Sequence, residues 1–204
     1  SFTGRGPLLE RLRDHFTAGP TASVPSQVLY GLGGMGKTQT ALEYAHRYKS
    51  AYDVVWWMNA AQPGLIRSAL ADLAPYLELE RGEDVGSTAE AVLRALGQGR
   101  PYERWLLVYD NAGSPTELEG LLPQGPPGGH VLVTSRDRAW VNSAGRAEVE
   151  VFTRAESVEL LLRFSPSLST EDAGQIAHEL GDLPLAVGQT ATWLSESNMP
   201  VERY

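Results

Sequence analysis

Cysteine is absent from the 204 residues and lysine nearly so: of 17 basic side chains, only Lys37 and Lys49 are lysine. The first absence excludes disulfides, thiolate chemistry and cysteine-based metal sites, and it suits a reducing compartment such as the cytoplasm. The second leaves two candidates for any site that requires an ammonium group. Basic blocks are also missing, and 17 − 25 gives a net charge of −8. Counterion release therefore has little to work with, and a nucleic-acid partner is disfavoured. No uncharged apolar run approaches the roughly 18 residues that a membrane span needs, so no membrane role is expected. His15, His46, His130 and His178 lack metal-ligand spacing with one another or with carboxylates and read as core or solvated side chains. A G-x-S-x-G nucleophile elbow is absent as well. The chain opens on Ser1 without an initiator Met, which reads as a trimmed piece of a longer protein.

What is present is ordinary globular composition, 42% hydrophobic and 21% charged, which excludes disorder. The apolar runs Ser26 to Tyr30, Asp53 to Asn59, Trp105 to Tyr109 and His130 to Thr134 read as buried strands, with Glu148 to Val151 a weaker fifth. Both faces of the strand at Trp56-Trp57 are expected to be covered. Between the strands, Thr38 to Tyr48, Leu65 to Tyr76 and Thr88 to Leu96 carry helical stripes, and Arg81 to Ser87 reads as a polar loop. Such alternation predicts an α/β fold with a mainly parallel sheet and helices on both faces. After Phe152 only helices follow, at Arg154 to Phe164, Thr170 to Leu180 and Pro184 to Ser195. The expected division is an α/β domain at 1–152 and the start of a helical subdomain at 153–204.

Gly31-Leu32-Gly33-Gly34-Met35-Gly36-Lys37-Thr38 matches G-x-x-x-x-G-K-[ST] in full, between a predicted strand and a predicted helix. Glycines turn successive N–H groups inward, and the helix N-terminus adds its positive dipole end, which together form a nest for phosphate. Lys37 is expected to reach the β- and γ-phosphates, and the Thr38 hydroxyl to bind Mg2+. Gln39 follows them into the helix. Asp110, at the C-terminal edge of the run Leu106 to Tyr109, supplies a second metal ligand where open α/β sheets bind their ligands. The next residue is Asn111, which positions water but accepts no proton from it, so hydrolysis is expected to be slow or assisted. Asp137 is near in sequence but reads better as a charged loop residue. Arg136, just beyond His130 to Thr134, brings a guanidinium to the same sheet edge, suited to the γ-phosphate. A GTPase would need N-K-x-D, which neither lysine enters, and no arginine-rich lid marks a metabolite phosphotransferase.

With the loop, Asp110 and Arg136 in place, the chain resembles the nucleotide-binding core of the NB-ARC branch of the STAND NTPases. Phe2-Thr3-Gly4-Arg5-Gly6 resembles the F-x-G-R segment that opens that domain against adenine, and Val54 to Asn59 the tryptophan-containing second strand. Leu107 to Asp110 matches the metal-binding strand, Val131 to Arg136 the sensor strand ending in T-[ST]-R, and Gly181 to Ala186 the G-L-P-L-A motif, whose proline is Pro184. The resemblance implies a P-loop NTPase three-layer sandwich with sheet order 2-3-4-1-5 and the sensor strand between the loop and metal strands.

The same resemblance implies a site built from Phe2, Gly4, Arg5, Gly33, Gly34, Met35, Gly36, Lys37, Thr38, Gln39, Asp110, Arg136 and Pro184, with ATP or ADP and Mg2+ as cofactors. The activity implied is a slow Mg2+-dependent ATPase acting as a signalling switch, with an ATP-gated assembly scaffold as the alternative. Implied partners are further C-terminal domains of the same chain, a winged helix and a sensor or repeat domain, and copies of itself once ATP is bound. Two departures from the family pattern are Asn111, in place of a frequent second aspartate, and Asp182, in place of the first leucine of G-L-P-L.

Overall fold

The computed structural model describes residues 4–18, 24–125, 128–142 and 145–197. In chain order its elements are α1 (Gly6–Thr17), β1 (Ser26–Tyr30), α2 (Lys37–Arg47), β2 (Val54–Asn59), α3 (Pro63–Leu73), α4 (Val85–Gly97), β3 (Trp105–Ala112), β4 (His130–Ser135), β5 (Arg146–Glu148), α5 (Arg154–Phe164), α6 (Thr170–Glu179) and α7 (Pro184–Ser197). The five strands form one sheet of order β2-β3-β4-β1-β5, and every pairing is parallel. This is the order that the resemblance implies, with the sensor strand β4 between the loop strand β1 and the metal strand β3.

Alternation along the central strands builds two cores. Trp105, Leu107, Tyr109, Val131 and Val133 cluster with Ile66, Leu70 and Leu73 of α3 and Val92 and Leu96 of α4. The intervening Leu106, Val108 and Leu132 are equally buried and point to the other face. Helix α2 contacts β1, β3 and β4, and α1 contacts β1. These are the three layers of an α/β sandwich, and the continuous apolar runs of β3 and β4 follow from burial on both faces.

Several boundaries differ from the expected ones for local reasons. Helix α1 lies outside the anticipated elements, although Leu8, Leu9, Leu12 and Phe16 form its buried stripe. Helix α4 starts at Val85, inside the expected polar loop, because Asp84 caps it: its carboxylate accepts the Ser87 N–H at 2.7 Å, and Ser87 reciprocates. Helix α3 gives way after Leu73 to a 3-10 turn at Ala74–Leu77 containing Pro75, which has no N–H to continue an α-helix. The fifth strand is Arg146–Glu148, three residues long and ahead of the expected position; Tyr30 donates a hydrogen bond to Glu148 at 2.9 Å. Trp56 and Trp57 are only half-buried, because β2 is an edge strand. Trp56 donates its indole N–H to the Ala69 carbonyl at 2.9 Å and packs on Tyr76.

Where α1, α2 and β4 meet, Phe16 stacks on His130 at 4.5 Å between ring centroids. The His130 Nδ1 shares a hydrogen bond of 2.8 Å with the Tyr52 hydroxyl, which bonds in turn to Tyr44 at 3.1 Å. Burial, with the nearby positive charge of Arg13, pulls the His130 pKa down to about 4, against an opposing hydrogen bond to the Phe16 backbone. His130 is thus a half-buried histidine that is neutral at neutral pH.

By its contacts the chain divides into two compact units. Among the described residues, one comprises 6–31 and 37–148, the other 4–5, 32–36 and 149–197. The second has its own core, in which Leu161, Leu168, Ile176, Ala177, Val187, Ala191 and Leu194 join α5, α6 and α7. No helix among the described residues is long and apolar enough to cross a membrane.

Candidate functional site

The sheet unit carries the lysine, the threonine and the aspartate. Lys37 opens α2, is 7% exposed, and donates from Nζ to the carbonyl of Gly31 at 2.8 Å, so its ammonium is held back along the loop that precedes it. The Thr38 hydroxyl donates to Asp110 Oδ1 at 2.8 Å. Strand β3 bulges where it reaches Asp110: Tyr109 pairs with Val133, but Ala112 pairs with Ser135, so one residue is extra. Asn111 takes up the excess at φ +61, a left-handed conformation that asparagine tolerates.

The bulge removes the Asn111 N–H from the ladder, and it donates instead to Thr134 Oγ1 at 2.8 Å. Thr134 then donates its own proton to Asp110 Oδ1 at 2.7 Å. Both donors converge on Oδ1, and Oδ2 accepts none of the hydrogen bonds found among the described residues.

Arg136 is exposed immediately beyond β4 and enters none of the ion pairs among the described residues. Gln39 is likewise exposed on the first turn of α2. Asp137 accepts the Ala139 N–H at 2.8 Å, which makes it a turn cap.

The helical unit carries the tip of the loop and the residues against it. Gly34 and Gly36 both stand at φ +78, where a side chain is strained. The Gly34 carbonyl accepts the N–H of Leu185 at 3.2 Å, beside Pro184, the first residue of α7. Met35 is buried, whereas Gly33 is exposed.

Arg5, at φ +60, is 8% exposed, and a Cβ on Gly36 would stand 3.2 Å from its Nη1. Its guanidinium donates to the Glu150 carbonyl at 2.9 Å and lies 5.1 Å from the Phe152 ring centroid. Its backbone N–H donates to Glu156 Oε1 at 2.6 Å. A Cβ on Gly4, which stands at φ +78, would meet Glu156 Oε1 at 2.6 Å, so a side chain there would be strained and would displace that carboxylate. Burial lowers the Arg5 pKa, and the Glu156 charge opposes it. Burial raises the Glu156 pKa, but hydrogen bonds from Arg5 and Thr153 outweigh it and hold the carboxyl below its ordinary value. Phe2 lies outside the described residues.

The departure at Asp182 has a local cause. The residue sits at φ +54, accepts Nε and Nη2 of Arg154 at 2.9 and 2.8 Å, and offers its carbonyl to the Phe152 N–H at 3.0 Å. The Arg154 hydrogen bonds hold the Asp182 carboxyl below its usual range. A leucine at this position would be strained and unpaired.

Sequence reasoning passed over Thr134, Glu156 and Leu185. Thr134 lies inside the T-[ST]-R segment, and Thr153-x-x-Glu156 is a visible capping-box pattern. Neither pattern announces a partner in a distant segment. Among the described residues no group of three or more histidines and carboxylates is arranged to hold a metal. The donors next to the loop are one hydroxyl and one carboxylate, a set that suits Mg2+ completed by phosphate oxygens and water.

The sequence pattern of the NB-ARC domain matches residues 9–167, most of the chain. The chain belongs to the NB-ARC family. Relatives similar to it include a nucleotide-binding leucine-rich repeat (NLR)-like protein of Hyaloscypha variabilis, 27% identical over 85% of this chain and 20% of the relative. Regulatory protein AfsR of Streptomyces coelicolor is 29% identical over 95% of this chain and 21% of the relative. The chain therefore spans about a fifth of the length of these relatives.

Among solved structures, its fold is similar to a signal transduction ATPase with numerous domains (STAND) from Pyrococcus horikoshii, which carries a tetratricopeptide repeat sensor. The TM-score is 0.53 at 20% identity, covering 91% of this chain and 29% of that one. It is also similar to Cdc6p of Pyrobaculum aerophilum, with a TM-score of 0.63 at 16% identity over 97% and 65% of the two chains. The NB-ARC chain thus has the P-loop NTPase fold.

Proposed function

We propose that this NB-ARC chain is the switch core of a signalling ATPase, binding ATP or ADP with Mg2+ and hydrolysing ATP slowly. The observation that carries this reading is the pairing of Thr38, next to the loop lysine, with Asp110 at the end of the metal strand. The N–H groups of Gly33 to Thr38 and the Lys37 ammonium would hold the phosphates, and Thr38 with Asp110 Oδ2 would hold Mg2+. When bound, Mg2+ neutralises charge on the β- and γ-phosphate oxygens. Arg136, exposed at the same sheet edge, is suited to contact the γ-phosphate. Phe2, Gly4, Arg5 and Pro184 belong to the segments that the family sets against adenine. Asn111 orients water without taking its proton, which supports slow turnover.

The domain division 1–152 and 153–204, further C-terminal domains and oligomerisation in the ATP state complete the reading. Asn111 also favours one alternative, an ATP-gated assembly scaffold without significant hydrolysis. A single-turnover assay separates the two: protein in excess over labelled Mg2+-ATP, with bound nucleotide and ADP followed together. Slow conversion of bound ATP, with binding weakened at least about tenfold in Lys37→Ala, is the expected outcome. ATP bound but unchanged would replace the ATPase by the scaffold, and binding unaffected by Lys37→Ala would remove both.

A further inference from the structure

The β3 bulge does more than aim a carboxylate; it creates a hydrogen-bond relay whose central member is a buried side chain outside the phosphate loop. Thr134 is 1% exposed. A hydroxyl has one proton, and because Thr134 Oγ1 accepts the Asn111 N–H at 2.8 Å, its proton is directed to Asp110 Oδ1 at 2.7 Å. The polarity of the relay is set at its two ends, by an amide N–H that can only donate and an ionised carboxylate that can only accept.

We infer that Thr134 is the positioning residue that orients Asp110 for Mg2+, by holding Oδ1 from the sensor strand and leaving Oδ2 bare. The inference rests on the reading of Thr38 and Asp110 as the metal ligands. Of the two donors on Oδ1, Thr38 is exposed and is itself a metal ligand in that reading, whereas Thr134 is buried in β4. The hold of Thr134 on the carboxylate is thus independent of whatever Thr38 binds. Partners of this kind, which orient a metal-binding carboxylate through its non-ligating oxygen, contribute about 10- to 100-fold to metal affinity. The relay also links β3, which carries Asp110, to β4, whose end leads directly into Arg136 two residues after the threonine.

The test uses a fluorescent ADP analogue and the whole 204-residue chain. Its affinity is measured in EDTA and across a Mg2+ series for wild type, Thr134→Val, Thr134→Ser and Asp110→Asn. Valine keeps the shape and removes both hydrogen bonds, and serine restores the hydroxyl. The expected result is an EDTA affinity within about twofold of wild type for Thr134→Val, with the Mg2+ concentration for half effect raised about tenfold or more, and near-complete rescue in Thr134→Ser.

A Mg2+ response unchanged in Thr134→Val but lost in Asp110→Asn would overturn the role of Thr134 alone. A response unchanged in Asp110→Asn would overturn the metal-site reading and the inference with it. Equal losses with and without Mg2+ would assign Thr134 a general structural role, and failure of serine to rescue would count against the hydroxyl. If the valine chain does not fold, Thr134→Ala against Thr134→Ser carries the same comparison.

Discussion

At the scale of single residues, Asn111 is the position where chemistry and backbone meet. Its N–H serves the Thr134 relay, and its φ of +61 is open to asparagine and aspartate alike. Asn111→Asp therefore changes the side chain without disturbing the bulge, and it supplies a group able to accept a proton from water. If proton transfer limits turnover, single-turnover hydrolysis rises about tenfold or more, with ADP affinity nearly unchanged. An unchanged rate would mean that a step other than proton abstraction is limiting. Asn111 and Asp110 were both legible in the sequence as the end of an apolar strand. The relay was not, because it depends on a one-residue bulge that shifts β3 against β4, and single-sequence pattern carries no cross-strand register.

At the scale of elements, helix α5 shows how a local signal acquires a distant task. Glu156 closes the capping box with Thr153, whose N–H it accepts at 2.8 Å, and its other oxygen takes the N–H of Arg5, 151 positions away in sequence. Glu156→Ala removes the charge-assisted bonds and the reciprocal half of the cap together. Unfolding by urea is expected to show a loss of about 2 kcal/mol, more than the roughly 1 kcal/mol of a cap alone. Glu156→Gln, which can still accept from Arg5, is expected to lose about half as much. Equal losses in the two variants would show that the charge contributes nothing.

The strands were readable because β3 and β4 are continuous apolar runs bounded by turn residues, and α5 because its cap is written in the sequence. The exposure of Trp56 and Trp57 was not readable, since a strand does not reveal whether it lies at the centre or the edge of its sheet. The start of α4 was missed for a different reason: Asp84 and Ser87 sit in a polar stretch where a capping box and a loop have the same composition.

At the scale of the whole molecule, the half-buried His130 contributes to the dependence of stability on acid. The unfolded chain binds a proton on this ring near pH 6.5, whereas the folded chain does so only near pH 4. More protons are bound by the unfolded state throughout that interval, so stability is complete above about pH 6.5 and declines as pH falls toward 4, by up to about 1.4 kcal/mol per pH unit. Glu156 and Asp182, whose carboxyls are held below their ordinary values, add their losses at lower pH. Urea melts at pH 7.5, 6 and 5 measure the slope. In His130→Phe, which keeps a ring against Phe16, the decline over this range should vanish, and an undiminished slope would assign it elsewhere.

The scarcity of lysine has a practical consequence for following such a molecule. Lys37 is buried with its ammonium bonded to Gly31, while Lys49 is exposed just past the far end of α2. Apart from the terminal amine, an amine-reactive dye should therefore attach at one position, and with no cysteine in the chain a second dye can be placed by a single introduced thiol. Distance changes during nucleotide exchange can then be read by energy transfer without first stripping native reactive groups from the protein.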